Sequence, residues 1–162
     1  MNWLRLTKIV LALSIGVWGL TGLMGNLFAI ADVYSDVEGI TSKAGAPSGE
    51  GPPWETTNPI IVWAGVIAII LGKVAAVICG WGGIVMARRF NAPADQFKDA
   101  KKIAYIGSAL AFALGFITFT IFAESIFFMF YAGGAAAAGE LAFRFSASFA
   151  LVALFIAQDD FE

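Results

Sequence analysis

Histidine is absent from this chain of 162 residues, which removes imidazole acid–base catalysis, His-ligated haem and the common zinc sites in one step. Cysteine occurs once, as Cys79 within an apolar run. No internal disulfide can form, and Cys79 reads as a small buried or lipid-facing side chain. Charge is scarce where the chain is most apolar: none falls between Ile9 and Ala31, and Lys73 alone between Pro59 and Ala87. The expectation is therefore no catalytic residue, no metal site and no cofactor held through the protein's own ligands. What remains is a hydrophobic content of 59%, a mean hydropathy of +0.81 and long apolar runs. Together these place the chain among polytopic membrane proteins, an all-α bundle of four transmembrane helices forming a single membrane domain over residues 1–162.

The first span is read at about residues 9–31. A basic start at Arg5 and Lys8, an apolar run and Ala29-Ile30-Ala31 also fit a cleavable signal peptide, but the run exceeds the usual ~7–15-residue core of such a signal. The segment is read as a retained helix. Residues 32–58 are polar and carry Gly45, Pro47, Gly49, Gly51, Pro52 and Pro53, so they read as an acidic loop without regular structure. Asn58 before Pro59 is an N-cap with proline at the first helical position, opening a second span at about 59–87. Trp54 and Trp63 bracket that start, as aromatics do at membrane interfaces. A basic connection follows at 88–102, with Pro93 opening the third helix early. The third span is read at about 103–131 and the fourth at about 138–157, joined at Gly133 and Gly134.

Arg5, Lys8, Arg88, Arg89, Lys98, Lys101 and Lys102 lie at the N-terminus and in the middle connection, whereas Lys43 alone lies in the two opposite connections. The positive-inside rule then places both termini in the cytoplasm and the acidic loop in the periplasm of a bacterial inner membrane. Phospholipid headgroups account for the lysines of the middle connection, and nucleic acid is not expected as a partner.

Three charges fall inside the spans and form the candidate site. Glu124 and Arg144 lie ten residues on either side of Gly134, so a hairpin turning there sets both at one depth, ~12 Å below its apex, and they are expected to pair. Lys73 lies ~21 Å along its helix from Pro59, near the bilayer midplane. Three fates are open to it: an internal cluster with Glu124 and Arg144, an acid of a neighbouring subunit, or a neutral form. Gly16, Gly19, Gly22 and Gly25 recur every third residue and offer a helix-packing strip. Phe112, Phe116 and Phe119, at i, i+4 and i+7, give an aromatic face suited to lipid, a quinone, a pigment or a neighbouring subunit.

Several of these residues carry a resemblance. The basic start with Asn26, the stretch from Phe97 to Lys102, Glu124 followed by Phe127 and Met129, Ala142-Phe143-Arg144-Phe145 and the Leu-Phe-x-x-Gln-Asp tail resemble a bacterial, mainly proteobacterial family. It is the family of predicted small integral membrane proteins of unknown function with four spans. The resemblance implies a glutamate where Lys73 stands and polar residues where Ala135 to Ala138 stand, so this chain departs from it at both places. It implies no activity.

With no catalytic spacing, the functional expectation is a non-catalytic accessory or structural subunit docked in the bilayer against other membrane subunits of a larger complex. A respiratory or photosynthetic electron-transport complex is the first host considered. The alternative is a small transporter or lipid- or quinone-binding protein using Lys73, Glu124 and Arg144.

Overall fold

The computed structural model describes residues 2–42, 54–132 and 135–160. The turn expected at Gly133-Gly134 and residues 43–53 of the acidic connection lie outside them. The described chain forms α1 (Trp3–Phe28), α2 (Ile30–Thr41), α3 (Pro59–Arg88), α4 (Ala94–Gly115, continuing as a π-helical stretch over Phe116–Ile126), a short 3-10 turn (Met129–Tyr131) and α5 (Ala135–Ala157). Four of these helical segments are long and apolar enough to cross a bilayer.

Local chemistry sets the helix starts. The Asn58 side chain accepts from the Ile60 amide at 2.9 Å, with Pro59 at the first helical position, so the asparagine-proline signal acts as its chemistry requires. Asn2 likewise accepts from the Arg5 amide at 3.2 Å. Pro93 precedes α4, which begins at Ala94. The basic segment read as a connection up to residue 102 is therefore already helical over its second half.

The residues read as a loop from 32 need a larger correction, because Ile30–Thr41 is a helix. Every proline of that loop, and all its glycines except Gly39, lie after residue 44. Before them Ile30, Val33, Tyr34 and Val37 repeat at helical spacing and pack on Val62, Val66 and Ile69 of α3. Gly65 admits the contact, since a Cβ there would stand 2.8 Å from Val37 Cγ1. The acidic side chains Asp32 and Asp36 fall on exposed positions. The run is amphipathic rather than irregular.

Small residues let α1, α3 and α4 approach backbone to backbone. Gly16 meets the Gly80 backbone so closely that neither position has room for a Cβ, and at Gly19 a Cβ would stand 2.6 Å from that of Ala76. On the other side of α3, Gly82 and Cys79 face Ala104 and Gly107 of α4. Helix α5 closes the bundle: the buried Ser108 hydroxyl donates to the Phe149 carbonyl at 2.8 Å, and Trp18 of α1 packs on the rings of Phe145 and Phe149, at 4.6 and 5.0 Å between centroids. Ala12, Ala75, Ala76, Ala100 and Ala104 are among the buried residues of this core, which is held by close helix contact of the kind membrane bundles use.

After Gly115 the helix widens. The Phe127 amide donates to the Phe122 carbonyl at 2.9 Å, spanning five residues as a π-helix requires, and the Ser125 hydroxyl adds a side-chain bond to the Thr120 carbonyl at 2.8 Å. The third span therefore does not continue to residue 131. It stops at Ile126, and Phe128 takes a left-handed conformation with φ of 51°, uncommon for a residue with a bulky side chain. The Trp54 indole donates to the Ile126 carbonyl at 2.9 Å and so satisfies a carbonyl at that helix end.

A Lys73 cavity and an ionic tail clasp

The polar groups of the bundle divide between its two ends. At the end carrying the termini, Lys8 is fully buried and Lys101 is 6% exposed, positions that lysine occupies only when paired. Asp160 supplies the pair. Its carboxylate takes Lys8 at 2.9 Å on one oxygen and Lys101 at 2.8 Å on the other, while the Gln158 carbonyl accepts from the same two ammonium groups. Burial alone would raise the Asp160 carboxyl pKa, but the hydrogen bonds from Lys101 and Lys8 hold it below its ordinary value. One turn earlier, Arg5 donates to the Phe90 and Ala92 carbonyls at 2.9 and 2.7 Å and lies over the Phe97 ring, 4.6 Å from its centre. Helix α1, the α3–α4 connection and the C-terminal tail are thus tied together. The sequence reading assigned Lys101 to phospholipid headgroups, and that assignment is corrected by its burial and its pairing with Asp160. Lys98 and Lys102 are exposed as expected.

Deeper in, the three intramembrane charges do not meet. Arg144 pairs with Glu140 one turn away, at 3.5 Å, with both side chains largely exposed. Glu124 lies against Gly139, where a Cβ would stand 2.8 Å from its Oε1. That level is five residues, or ~7.5 Å, from Arg144 along α5. The symmetry about Gly134 fails because the α4 segment stops at Ile126 and the chain is no longer helical up to the turn.

Lys73 turns the other way, toward α1. Its ammonium sits 3.3 Å from the centre of the Trp18 ring, in space left by Gly22, whose Cβ would stand 3.0 Å from Nζ. Gly16, Gly19 and Gly22 are therefore used inside the bundle, whereas Gly25 has nothing within 4 Å. Among the described residues no carboxylate lies within ion-pair distance of Lys73. A cation–π contact supplies about 0.5–2 kcal/mol. A lone charge at the centre of a membrane helix costs about 2.5–3.5 kcal/mol or more, so the indole offsets only part of it.

Beyond Gly22 the helices part and leave a cavity of about 450 Å³ between α1, α2, α3, the π-helical stretch and α5, with Lys73 and Trp18 in its wall. Its other polar lining groups are Asn26, Asp36, Thr118 and Ser146. Ser146 is 4% exposed, and Gly115 makes room for its hydroxyl, since a Cβ there would stand 2.5 Å from Oγ. Among the described residues, none of these side chains is hydrogen-bonded to another group of the protein. A second, almost wholly apolar crevice of about 520 Å³ adjoins the cavity, sharing Ala68, Leu114 and Thr118 with it. It runs between α3 and the π-helical stretch to the exposed side chains of Ile60, Ile61, Ile117 and Phe122.

The π-helical stretch also redistributes the expected aromatic face. Phe112 packs on the core and lies 5.7 Å from the Phe116 ring. Phe119 instead lines both cavities, because i, i+4, i+7 spacing no longer marks one face where the turn is wider. Trp18, Thr118 and Ser146 escaped the sequence reading, and Asn26 entered it only through the family resemblance, not as a site residue. Only the register of α1 against α3 brings Trp18 to Lys73, and no local pattern encodes it.

Four long apolar helices, packed through small residues with apolar side chains outward, define a small polytopic integral membrane protein. The chain belongs to the family described as "Predicted small integral membrane protein (DUF2165)", which it matches over residues 4–159. No curated protein and no solved structure matches it.

Proposed function

We propose that this protein is a non-catalytic, membrane-embedded binding protein that holds an apolar or amphiphilic molecule of the bilayer in the cavity beside Lys73. One observation carries the reading: an intramembrane ammonium without a carboxylate partner among the described residues faces a cavity within the volume range of small-molecule sites, and an apolar crevice leads from there to the lipid-facing surface. The non-catalytic role keeps to the sequence expectation, in which no catalytic spacing emerges.

An accessory-subunit role is the second reading, and one observation favours it. Glu140 and Arg144 form an exposed pair on the outer face of α5, where another membrane subunit, in an electron-transport complex or elsewhere, would cover it. The glycine strip no longer supports docking, because α3 occupies most of it. The lysine and arginine bias supports a bacterial inner-membrane setting with both termini cytoplasmic.

Native mass spectrometry on protein extracted from its own membrane in mild detergent tests the proposal. A stoichiometric small-molecule adduct on the single chain is the expected result. A bare chain held in a stoichiometric complex with other polypeptides would overturn it in favour of the second reading.

A further inference from the structure

We infer that the cavity takes the carboxylate head of a single-chain amphiphile of the long-chain fatty acid class, with the head on Lys73 and the chain in the adjoining crevice. The inference rests on the binding reading above and specifies its ligand.

Charge selects the head group. Among the described residues Lys73 is the one cation in the cavity wall, so it matches a monovalent anion, whereas a neutral ring would leave the ammonium as it stands, balanced by the Trp18 face alone. The hydroxyl of Ser146, a residue only 4% exposed that lines the cavity and has no hydrogen-bond partner among the described residues, and that of Thr118 supply further donors along the same wall. A carboxylate, which accepts on two oxygens, uses a cation and hydroxyl donors together.

Shape selects the tail. The crevice meets the cavity at Ala68, Leu114 and Thr118, and Ile61 lies twelve residues from Lys73, or ~18 Å along α3. A single extended acyl chain fits that path; the glycerol and two chains of a phospholipid exceed a crevice of about 520 Å³. Asp36 stands in the cavity wall on the α2 side and repels anions there. The acid therefore enters sideways from the bilayer, between α3 and the π-helical stretch.

The test uses the full-length protein in phosphatidylcholine nanodiscs and a palmitic acid probe with a mid-chain diazirine. Photolabelling is expected on α3 between residues 61 and 68 and on the π-helical stretch between 117 and 122. Palmitate should displace the probe at least about tenfold more effectively than hexadecanol. Lys73→Gln should reduce the acid to the alcohol's affinity, while Lys73→Arg should keep a preference. The acid-against-alcohol comparison on the unaltered protein stands even if Lys73→Gln fails to fold. Equal competition by palmitate and hexadecanol, or stronger competition by a neutral decyl quinone, overturns the carboxylate inference and leaves the cavity a binding site. Labelling that no competitor displaces removes both.

Discussion

Gly22 and Lys73 share one volume: a Cβ at residue 22 would stand 3.0 Å from the lysine Nζ and 3.1 Å from Cδ and Cε. The contact belongs to a register. Gly16 faces Gly80, Gly19 faces Ala76 and Gly22 faces Lys73, so α1 and α3 run antiparallel with each step of three along α1 matched by three or four along α3. Where the small residues end, the lysine begins, and the two helices separate around it. Gly22→Val should displace the flexible end of Lys73 from Trp18 at a stability loss of about 1 kcal/mol, since a mobile side chain yields more readily than backbone. With the other tryptophans changed to phenylalanine, Trp18 emission should shift when the Gly22→Val change is added. Unchanged emission would place Lys73 elsewhere.

The Gly16–Gly80 crossing offers no such relief, because backbone meets backbone. Gly16→Ala and Gly80→Ala should each destabilise the bundle by about 1–3 kcal/mol. Gly25→Ala should be neutral or slightly stabilising, because its Cβ would meet nothing within 4 Å and alanine favours the helix. Reversible unfolding in mixed micelles separates the three. Equal gains at all three would show helix propensity acting alone and would contradict the close crossing.

Asp160 should make stability acid-sensitive. Its carboxyl is held below the ordinary value in the folded protein, so its contribution is complete above the unfolded value of about 3.9 and is lost as pH falls through the lower folded value. Asp160→Asn should lose about 3–5 kcal/mol near neutral pH by stranding Lys8 and Lys101. Melting temperature followed from about pH 7 to about pH 3 should fall for the native chain and change less for the variant. Parallel curves would show that Asp160 does not carry the acid response.

Glu124 and Arg144 should behave independently. Arg144 is engaged with Glu140 at an exposed site, and Glu124 lies a turn or more away beside Gly139. A double-mutant cycle of Glu124→Gln with Arg144→Met should give a coupling below about 0.5 kcal/mol. A coupling of several kcal/mol would restore the hairpin salt bridge.

The spans, the Asn58-Pro59 start and the closeness of glycines on α1 to another helix are legible in the sequence, because each rests on local pattern: apolar length, cap chemistry or small-residue spacing. Three features are not. Helix α2 hides behind acidic residues, since a run of only twelve residues ahead of a proline-rich stretch reads as loop. The π-helical stretch changes the face on which Phe119 and Thr118 fall, and no residue in it announces the wider turn. The Lys8–Asp160–Lys101 clasp joins residues as many as 152 positions apart, beyond any local pattern. The Lys73 site combines both situations: its odd charge is visible in the sequence, but its neighbours follow from helix register.

A map of the full-length protein in a lipid nanodisc tests the central claim most directly. Elongated density is expected that begins at the Lys73 ammonium, passes Thr118 and Ala68, and ends between Ile61 and Phe122. A closed cavity with Lys73 paired to Glu124, or to a carboxylate of another polypeptide, would contradict it.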